Sequence, residues 1–391
     1  MKNFSPLIAL TLLAGCLTLS ALRANAQAPN QAQIERDTYD ACWDKEKKDD
    51  SKCIPLCTEL AAKYPDSVYA KNCKSRLDNK KIADLSQKFQ NGLKGYYDAP
   101  DAGRLEQLFA TGEEFLKAQA GQQYVIGWMA LAGADGAMGA VSYKSTDKVK
   151  GYAEGALKAF EPADAPQGWE KKDWESLREL VFAKMNQYLG WQLIIPAQGD
   201  RNLALDYLNK AIQVKRKDGI GWKDPYNYVL RATVYNDQYT EAKKPYDAMT
   251  DEKKVSDEGK EIIKKVTELL DTKLIPEYAR VLATATNPET KPYADQIKPA
   301  FDAYWDYRTG AKDKAADYIK NYASDPTIDS VPIPAKPADA SGLNALAPTP
   351  APGAVKLQPT KPAAAPGGAS NGAKSAPAKG KTKPKSKKRG R

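Results

Sequence analysis

A helical hydrophobic period recurs along residues 34–326 and is interrupted at short intervals by turn signals. In RLEQLFATGEEFLKAQ, apolar side chains return three and four positions apart. The stretch EIIKKVTELLDTKLIPEYARVLATA repeats this pattern, and its Pro276 should kink or break the helix. Turn stretches such as KYPDS, GWKDP and TNPET separate these segments, and strand signals are sparse. The sequence therefore predicts an all-α domain of antiparallel helical hairpins joined in series.

Residues 1–26 have the layout of a secretory signal peptide. Lys2 precedes an apolar stretch and then Ala24-Asn25-Ala26, a small-x-small cleavage site. An uncleaved anchor helix is the other interpretation, although the apolar run is marginal for a membrane span. Leu13-Ala14-Gly15-Cys16 resembles the lipobox of bacterial lipoproteins, in which Cys16 would be lipidated. We favour cleavage after Ala26, and either cleavage predicts export to the periplasm or cell envelope of a bacterium.

Four cysteines follow the predicted signal peptide at positions that lie close together in the sequence: Cys42, Cys53, Cys57 and Cys73. An even number of cysteines in an exported chain predicts two disulfide bonds, for which three connectivities are possible. A four-cysteine zinc site is the alternative. Such sites usually contain paired C-x2-C knuckles, and these spacings lack them.

Histidine is absent from all 391 residues. Its absence excludes Ser-His-Asp and Cys-His nucleophile systems, imidazole metal sites and the commonest general base. We find no Gly-rich phosphate loop, metal-binding cluster or nucleophile elbow in the sequence. We therefore expect no catalytic residue, no metal and no cofactor. Carboxylate-only chemistry, as in glycosidases, is the enzymatic alternative.

The composition changes after about Thr327 to Pro, Ala, Gly, Ser and Lys, which predicts a disordered tail over residues 327–391. From residue 340 onward there are eleven basic residues and no acidic one, whereas the rest of the chain has 48 basic and 49 acidic residues. The net charge of +10 therefore belongs to the tail. The basic residues expected to bind a polyanion lie at its end: Lys379, Lys381, Lys383, Lys385, Lys387, Lys388, Arg389 and Arg391.

Three interpretations of this tail stay open. It binds nucleic acid through counterion release, it associates with anionic envelope polymers or membrane surfaces, or it is a solvated extension without a partner. The predicted export signal makes nucleic acid inside the cell the least accessible of these partners.

Two consecutive stretches of the sequence resemble the tetratricopeptide repeat. In NQYLGWQLIIPAQGDRNLALDYLNKAI, the positions typical of the family are matched by Leu189, Gly190, Ala204, Leu208 and Ala211. In YVLRATVYNDQYTEAKKPYDAM, with NDQYTEA as its turn, they are matched by Val229, Ala242 and Tyr246, and by Tyr226, which lies two residues before this stretch. The resemblance implies an α-solenoid of about six hairpins over residues 34–326, after a polar leader at 27–33. An irregular helical array is the alternative.

The resemblance also implies a disulfide pairing. In the repeat frame, Cys42 would face Cys53 across the first hairpin, and Cys57 would face Cys73 on the next helix. Both bonds would then fasten a terminal hairpin, which has a neighbour on one side only.

First helices of this repeat line the concave face, so the resemblance implies a partner groove that contains Gln187, Trp191, Asn227 and Arg231. Plain solvated surface, with Trp191 filling the core, is the alternative.

The sequence thus favours an exported, non-catalytic module that binds a protein or peptide in its groove and an anionic envelope polymer through its tail. A glycan-capture protein of the envelope is the second hypothesis, prompted by aromatic runs such as DAYWDYRTG. At helical spacing, however, Tyr304, Trp305 and Tyr307 are more typical of core packing. An enzyme without histidine is the third hypothesis.

Overall fold

A computed structural model describes residues 30–42, 50–139, 141, 143–166, 168–196 and 199–334. The predicted signal peptide, the lipobox Cys16 and the basic residues 379–391 lie outside these ranges. The described residues are predominantly helical and contain no β-strand, only an isolated antiparallel bridge between Lys215 and Gly221. The prediction of an all-α protein is confirmed. Within the same ranges, no helix has both the length and the apolar composition that a membrane span needs.

The α-helices are α1 (Gln31–Cys42), α2 (Asp50–Lys63), α3 (Val68–Asp98), α4 (Ala102–Ala118), α5 (Gln123–Met138), α6 (Thr146–Ala159), α7 (Lys171–Ile194), α8 (Arg201–Gln213), α9 (Pro225–Asp247), α10 (Asp251–Lys254), α11 (Asp257–Leu269), α12 (Ile275–Thr284), α13 (Lys291–Thr309) and α14 (Ala315–Lys320). A π-helical segment, Leu270–Leu274, joins α11 to α12, and a 3-10 turn, Lys312–Lys314, precedes α14. The first helix begins within the predicted polar leader.

The chain divides into two compact units at Gln87, within α3. In the first unit, α1, α2 and the beginning of α3 pack around the cysteines and a few large side chains, among them Leu60. A disulfide bond joins Cys57 of α2 to Cys73 of α3, and the two Cα atoms are 5.1 Å apart. This bond was predicted, and it connects two consecutive helices of a small core.

The predicted Cys42–Cys53 bond is not formed in the structure. Both side chains are buried, but the Cys53 thiol donates to the main-chain carbonyl of Cys42 and does not approach its sulfur as a bond would require. The Cys42 sulfur lies 3.7 Å from the sulfur of Cys57. The structure therefore places three of the four cysteine side chains in contact around a single disulfide.

In the second unit, consecutive helices form hairpins that pack in sequence order. The helix α5 contacts α4, α6 and α7, and α7 contacts α6, α8 and α9. The helix α9 contacts α8 behind it and α11 and α12 ahead of it, and α12 also contacts α13 and α14. Each hairpin therefore packs its apolar side chains against the hairpins on either side.

One of the two repeat-like stretches differs from its predicted form. The first stretch forms a hairpin, α7 followed by α8, as expected. The second stretch was predicted to turn at NDQYTEA, but α9 continues through it from Pro225 to Asp247 without interruption. The reason is that this segment contains no glycine or proline to end the helix, and its Tyr239 is fully buried. The helix α9 pairs instead with the α11–α12 segment.

Pro276 changes the helix at the position where the sequence places it. It has no amide hydrogen, so the carbonyl four residues earlier loses its helical partner. The chain accommodates this with the π-helical turn at Leu270–Leu274 and then continues as α12.

Close packing between α7 and α8 depends on a glycine. A Cβ atom on Gly190 would lie 2.8 Å from a side-chain carbon of Leu208 and 3.2 Å from the carbonyl oxygen of Ala204. The glycine therefore permits the approach of the two helices that the repeat resemblance implied.

We expect Gly190→Ala to lower the free energy of unfolding by roughly 1–3 kcal/mol, because the new methyl group must displace Leu208. The matched control is Gly151→Ala in α6, where a Cβ atom would meet nothing within 4 Å. That substitution should raise stability by about 0.5–1 kcal/mol, as expected when alanine replaces glycine in a helix. Urea unfolding of both variants measures the difference, and equal stabilities would contradict this packing.

The ordered contacts extend past the predicted start of the tail at residue 327. After α14, residues 325–331 form no helix but are hydrogen-bonded to α12, α14 and neighbouring turns. This segment, DPTIDSV, has only two large apolar residues and no helical hydrophobic period, so its sequence resembles a tail. Its contacts are made chiefly by main-chain atoms, which composition does not reveal.

Candidate functional site

Polar side chains from four alternating helices meet in the second unit. They come from α3, α5, α7 and the beginning of α9, which are the first helices of consecutive hairpins. We call this set the polar belt; its members are Tyr97, Asp135, Lys184, Gln187, Asp224 and Asn227.

At one end of the belt, Asp135 sits in an unusual position for a carboxylate. It is the one charged residue of the Gly- and Ala-rich helix α5, whose other side chains are mostly buried. The Tyr97 hydroxyl donates to it at 3.4 Å. Burial raises the pKa of Asp135 to about 6, although the charge of Lys184 and the Tyr97 hydrogen bond oppose this shift. Burial also raises the pKa of Tyr97 well above its usual value.

Lys184 occupies the middle of the belt. Its ammonium group contacts a carboxylate oxygen of Asp224 at 3.3 Å and the amide oxygen of Gln187 at 3.2 Å. Burial lowers the pKa of Lys184, whereas the negative charges of Asp224 and Asp135 raise it. The effect of the two carboxylates is larger, so the pKa of Lys184 lies above its usual value. The Lys184 and Asp224 side chains remain 20% and 18% exposed, so both can still reach a ligand.

Helix capping fixes the other end of the belt. Asp224 precedes Pro225 and is the N-cap of α9, since its carboxylate accepts from the amide of Tyr226. Its other oxygen accepts from Gln187 at 2.9 Å, and Gln187 also donates to Asn227 at 3.1 Å. One carboxylate therefore both starts α9 and connects it to α7.

A separate buried group of charges lies between α9 and α12. Glu277 of α12 accepts from Arg231 at 2.9 Å and from Arg280 at 2.7 Å. The Glu277 side chain is 1% exposed, and the two arginine side chains are 13% and 6% exposed. We call these three residues the buried triad. Two positive groups share a single negative one, so removal of the carboxylate would leave two buried charges uncompensated.

The four predicted groove residues have different places in the structure. Gln187 and Asn227 contact each other, but they are 1% and 0% exposed at the α7–α9 interface. Arg231 belongs to the buried triad. Trp191 is half-buried and stacks on Tyr188.

Sequence reasoning missed the charged members of the belt. Asp135 is a single carboxylate inside the apolar run ALAGADGAM, which is a recognisable signal of a buried functional or structural charge. Asp224 before Pro225 is an N-cap signature. Nothing in the sequence indicates that Lys184 lies between these two carboxylates, because the three residues are 40 or more positions apart.

A second charged cluster connects α4 to α6. The hydroxyls of Tyr143 and Tyr152 donate to Glu106 and Glu113 respectively, and Lys148 lies 3.3 Å and 3.5 Å from these carboxylates. The tyrosine hydrogen bonds hold the pKa of both glutamates below the usual value. A glycosidase-like pair needs one carboxyl group with a raised pKa as its acid, and this pair does not supply it.

Two further observations concern the metal-site and glycan-capture hypotheses. In the described ranges, no three or more metal-ligating side chains are placed to hold an ion. Tyr304 and Trp305, from one of the aromatic runs that prompted the glycan hypothesis, are each 1% exposed and form part of the core.

Comparison with known proteins identifies no relative: no protein-family model, no curated protein and no solved structure matches this chain. Its function is therefore argued from its own residues.

The charge of Asp135 should make stability depend on pH. The ordinary pKa of this carboxyl group is 3.8, and its pKa in the folded protein is about 6, so folding favours the protonated form. The free energy of unfolding is therefore highest below about pH 4 and falls as the pH rises through 6. At pH 7.5, Asp135→Asn should be more stable than the natural chain by about 2–3 kcal/mol, and at pH 4 the two should be nearly equal.

Urea unfolding at the two pH values measures this effect. The exposed Asp317, paired only with Lys320, provides the control variant Asp317→Asn, which should change stability by less than about 0.5 kcal/mol at either pH. An Asp135→Asn difference that is the same at pH 4 and pH 7.5 would contradict the burial of this charge.

Proposed function

We propose that this chain is a tetratricopeptide-like helical solenoid that binds an extended segment of a protein partner along the polar belt. The observation that carries this proposal is that the first helices of four consecutive hairpins contribute to one set of polar side chains. Four members of this set are partly exposed: Tyr97, Asp135, Lys184 and Asp224. The second helices α4, α6 and α8 contribute none of its members. A binding surface built in this way can follow a partner across several hairpins.

The packing order supports the solenoid part of the proposal. Each of α5, α7 and α9 contacts the helix before it and the first helix of a neighbouring hairpin. Within the described ranges, the helices can be paired in chain order as α1/α2, α3/α4, α5/α6, α7/α8, α9/α11–α12 and α13/α14. In this pairing α9 lacks the internal turn that its repeat was predicted to have.

The electrostatics of the belt indicate the chemistry of the partner. Lys184 and Asp224 carry opposite charges next to each other, and both retain some exposure. Such a pair can bond the main-chain carbonyl and amide groups of an extended segment, or a charged side chain of either sign. The proposal is therefore of a non-catalytic binding module and not of an enzyme.

The placement of the protein is part of the same proposal. The signal-peptide layout of residues 1–26 and the disulfide Cys57–Cys73 both favour an exported, envelope-associated protein. The basic residues 379–391 would then hold the helical domain near anionic polymers or lipid head groups.

Selection of peptides from a displayed random library against the full chain tests the binding proposal. Peptides selected on the natural protein should bind Lys184→Met at least tenfold more weakly, because the ammonium group is lost while the alkyl stem remains. The control Lys210→Met changes an exposed lysine of α8 and should leave binding unchanged. Failure to select any peptide, or equal binding to both variants, would contradict the proposal.

A further inference from the structure

A non-helical segment of the second unit is held against the rest of that unit chiefly by its main chain. We call residues 325–331 the strap. Asp325 forms an ion pair with Lys215 at 2.9 Å, and the hydroxyl of Ser330 donates to the carbonyl of Thr272 at 2.8 Å. The remaining contacts of the strap come from one arginine and two tyrosines.

Arg280 holds the first half of the strap. Its Nε donates to the carbonyl of Pro326 at 2.9 Å, and its Nη2 donates to the carbonyl of Ile328 at 2.8 Å. The guanidinium is oriented by Glu277 at 2.7 Å and lies over the ring of Tyr322 at 4.7 Å. A single rigid side chain thus binds two carbonyl groups that are two residues apart, as in an extended chain.

Two tyrosine hydroxyls hold the second half. Tyr318 donates to the carbonyl of Val331 at 3.0 Å, and the amide of Val331 donates to the Tyr322 hydroxyl at 2.9 Å. Both polar main-chain groups of one residue are therefore bound. We call Arg280, Tyr318 and Tyr322 the strap seat.

The strap side chains contribute little apolar burial. Pro326 is the only buried residue between 325 and 331, and Ile328 is 38% exposed. The strap seat therefore binds a backbone shape and not a particular set of side chains. Such recognition is typical of surfaces that accept an extended peptide from another chain.

The charges behind the strap seat are incompletely paired. Among the described residues, Glu277 Oε2 and Arg231 Nε are buried and have no hydrogen-bond partner. A buried polar network with unsatisfied members costs stability, and in native proteins such groups call for an explanation. The charged network that orients Arg280 is therefore incompletely hydrogen-bonded while the strap is in place.

We infer that the strap seat is a second binding surface, for an extended segment of a protein partner, and that the strap is its displaceable occupant in the isolated chain. The favoured partner segment has a proline first, a free carbonyl two residues later, and a paired amide and carbonyl about three residues after that. This surface involves α12 and α14, and it does not depend on the polar belt.

A labelled peptide, DPTIDSVPIP, which copies residues 325–334, tests this inference on the full chain. In a strap-weakened variant, Asp325→Ala with Val331→Pro, the ion pair to Lys215 and the amide that contacts Tyr322 are removed while the strap seat stays intact. Fluorescence anisotropy should show that the peptide binds this variant at least tenfold more tightly than it binds the natural chain.

Tyr318→Phe in the strap-weakened background should then weaken peptide binding about fivefold, because it removes one hydroxyl and keeps the ring. Tyr307→Phe on α13 is the control and should not change it. Melting temperatures of all variants show whether the fold is retained. Equal peptide binding by the natural and strap-weakened chains, or no effect of Tyr318→Phe, would overturn the inference. Lys184→Met should leave peptide binding unchanged, which separates this surface from the polar belt.

Discussion

Replacement of Glu277 by glutamine should lower the free energy of unfolding by roughly 3–5 kcal/mol. Glu277 is 1% exposed and is the shared carboxylate of Arg231 and Arg280. Without its charge, two guanidinium groups remain buried between α9 and α12 with no negative group to balance them. Loss of one partner of a buried ion pair is far more costly than loss of an exposed pair, because the remaining charge is desolvated and uncompensated.

The control for this experiment is Glu241→Gln in α9. Glu241 is 68% exposed and pairs with Lys244 at 2.5 Å, so the substitution should cost less than about 1 kcal/mol. Guanidinium or urea unfolding of the full chain gives both values. A Glu277→Gln cost as small as that of Glu241→Gln would contradict the buried triad.

The second large effect concerns the first unit. Removal of the Cys57–Cys73 bond should destabilise that unit by about 3 kcal/mol, since the bond closes a loop with a sequence separation of 16 residues. Both cysteines must be replaced by serine together. If only Cys73 is changed, the sulfur of Cys57 is left 3.7 Å from that of Cys42 and can form a bond with it.

Hydrogen–deuterium exchange measures this loss separately in each unit, which is needed because a two-unit chain need not unfold in one step. Amides of α2 and of residues 68–87 should exchange about a hundredfold faster in the double serine variant, while those of α7 and α9 stay unchanged. The Thr58→Ala variant, which removes an exposed hydroxyl from the same helix, is the control. Unchanged exchange in the first unit would show that the bond does not support its fold.

The helical class could be predicted because it depends on local information. Hydrophobic spacing, turn residues and Pro276 all act within one or two turns of helix. The predicted turn at NDQYTEA was wrong for the same kind of reason. The repeat resemblance suggested a turn, but the local residues contain no helix breaker, and the burial of Tyr239 favours a continuous α9.

The candidate site could be predicted only in part. The sequence pointed to Gln187 and Asn227, which do contact each other, but their burial follows from how α7 packs on α9. The hydrogen bond of Asp135 with Tyr97 and its electrostatic interaction with Lys184 join residues 38 and 49 positions apart, a distance over which local patterns carry no information. The sequence could not predict the contacts of the strap, because most of them use main-chain carbonyl and amide groups that nearly every residue has.

The disulfide pattern could also be predicted only in part from the sequence. The repeat frame placed Cys57 opposite Cys73, where the structure has the bond. It also placed Cys42 opposite Cys53, yet these side chains approach each other's main chain and not each other's sulfur. The frame gives the correct neighbours, whereas the direction of each side chain depends on the exact rotation of the two helices.

Hydrogen–deuterium exchange of the full chain with a library-selected peptide tests whether a partner segment lies along the polar belt. We expect slower exchange at the end of α5, in the middle of α7 and at the beginning of α9, around Asp135, Lys184 and Asp224. The Lys184→Met variant should lose that protection. Protection confined to the second helices α4, α6 and α8 would show that the peptide does not bind along the polar belt.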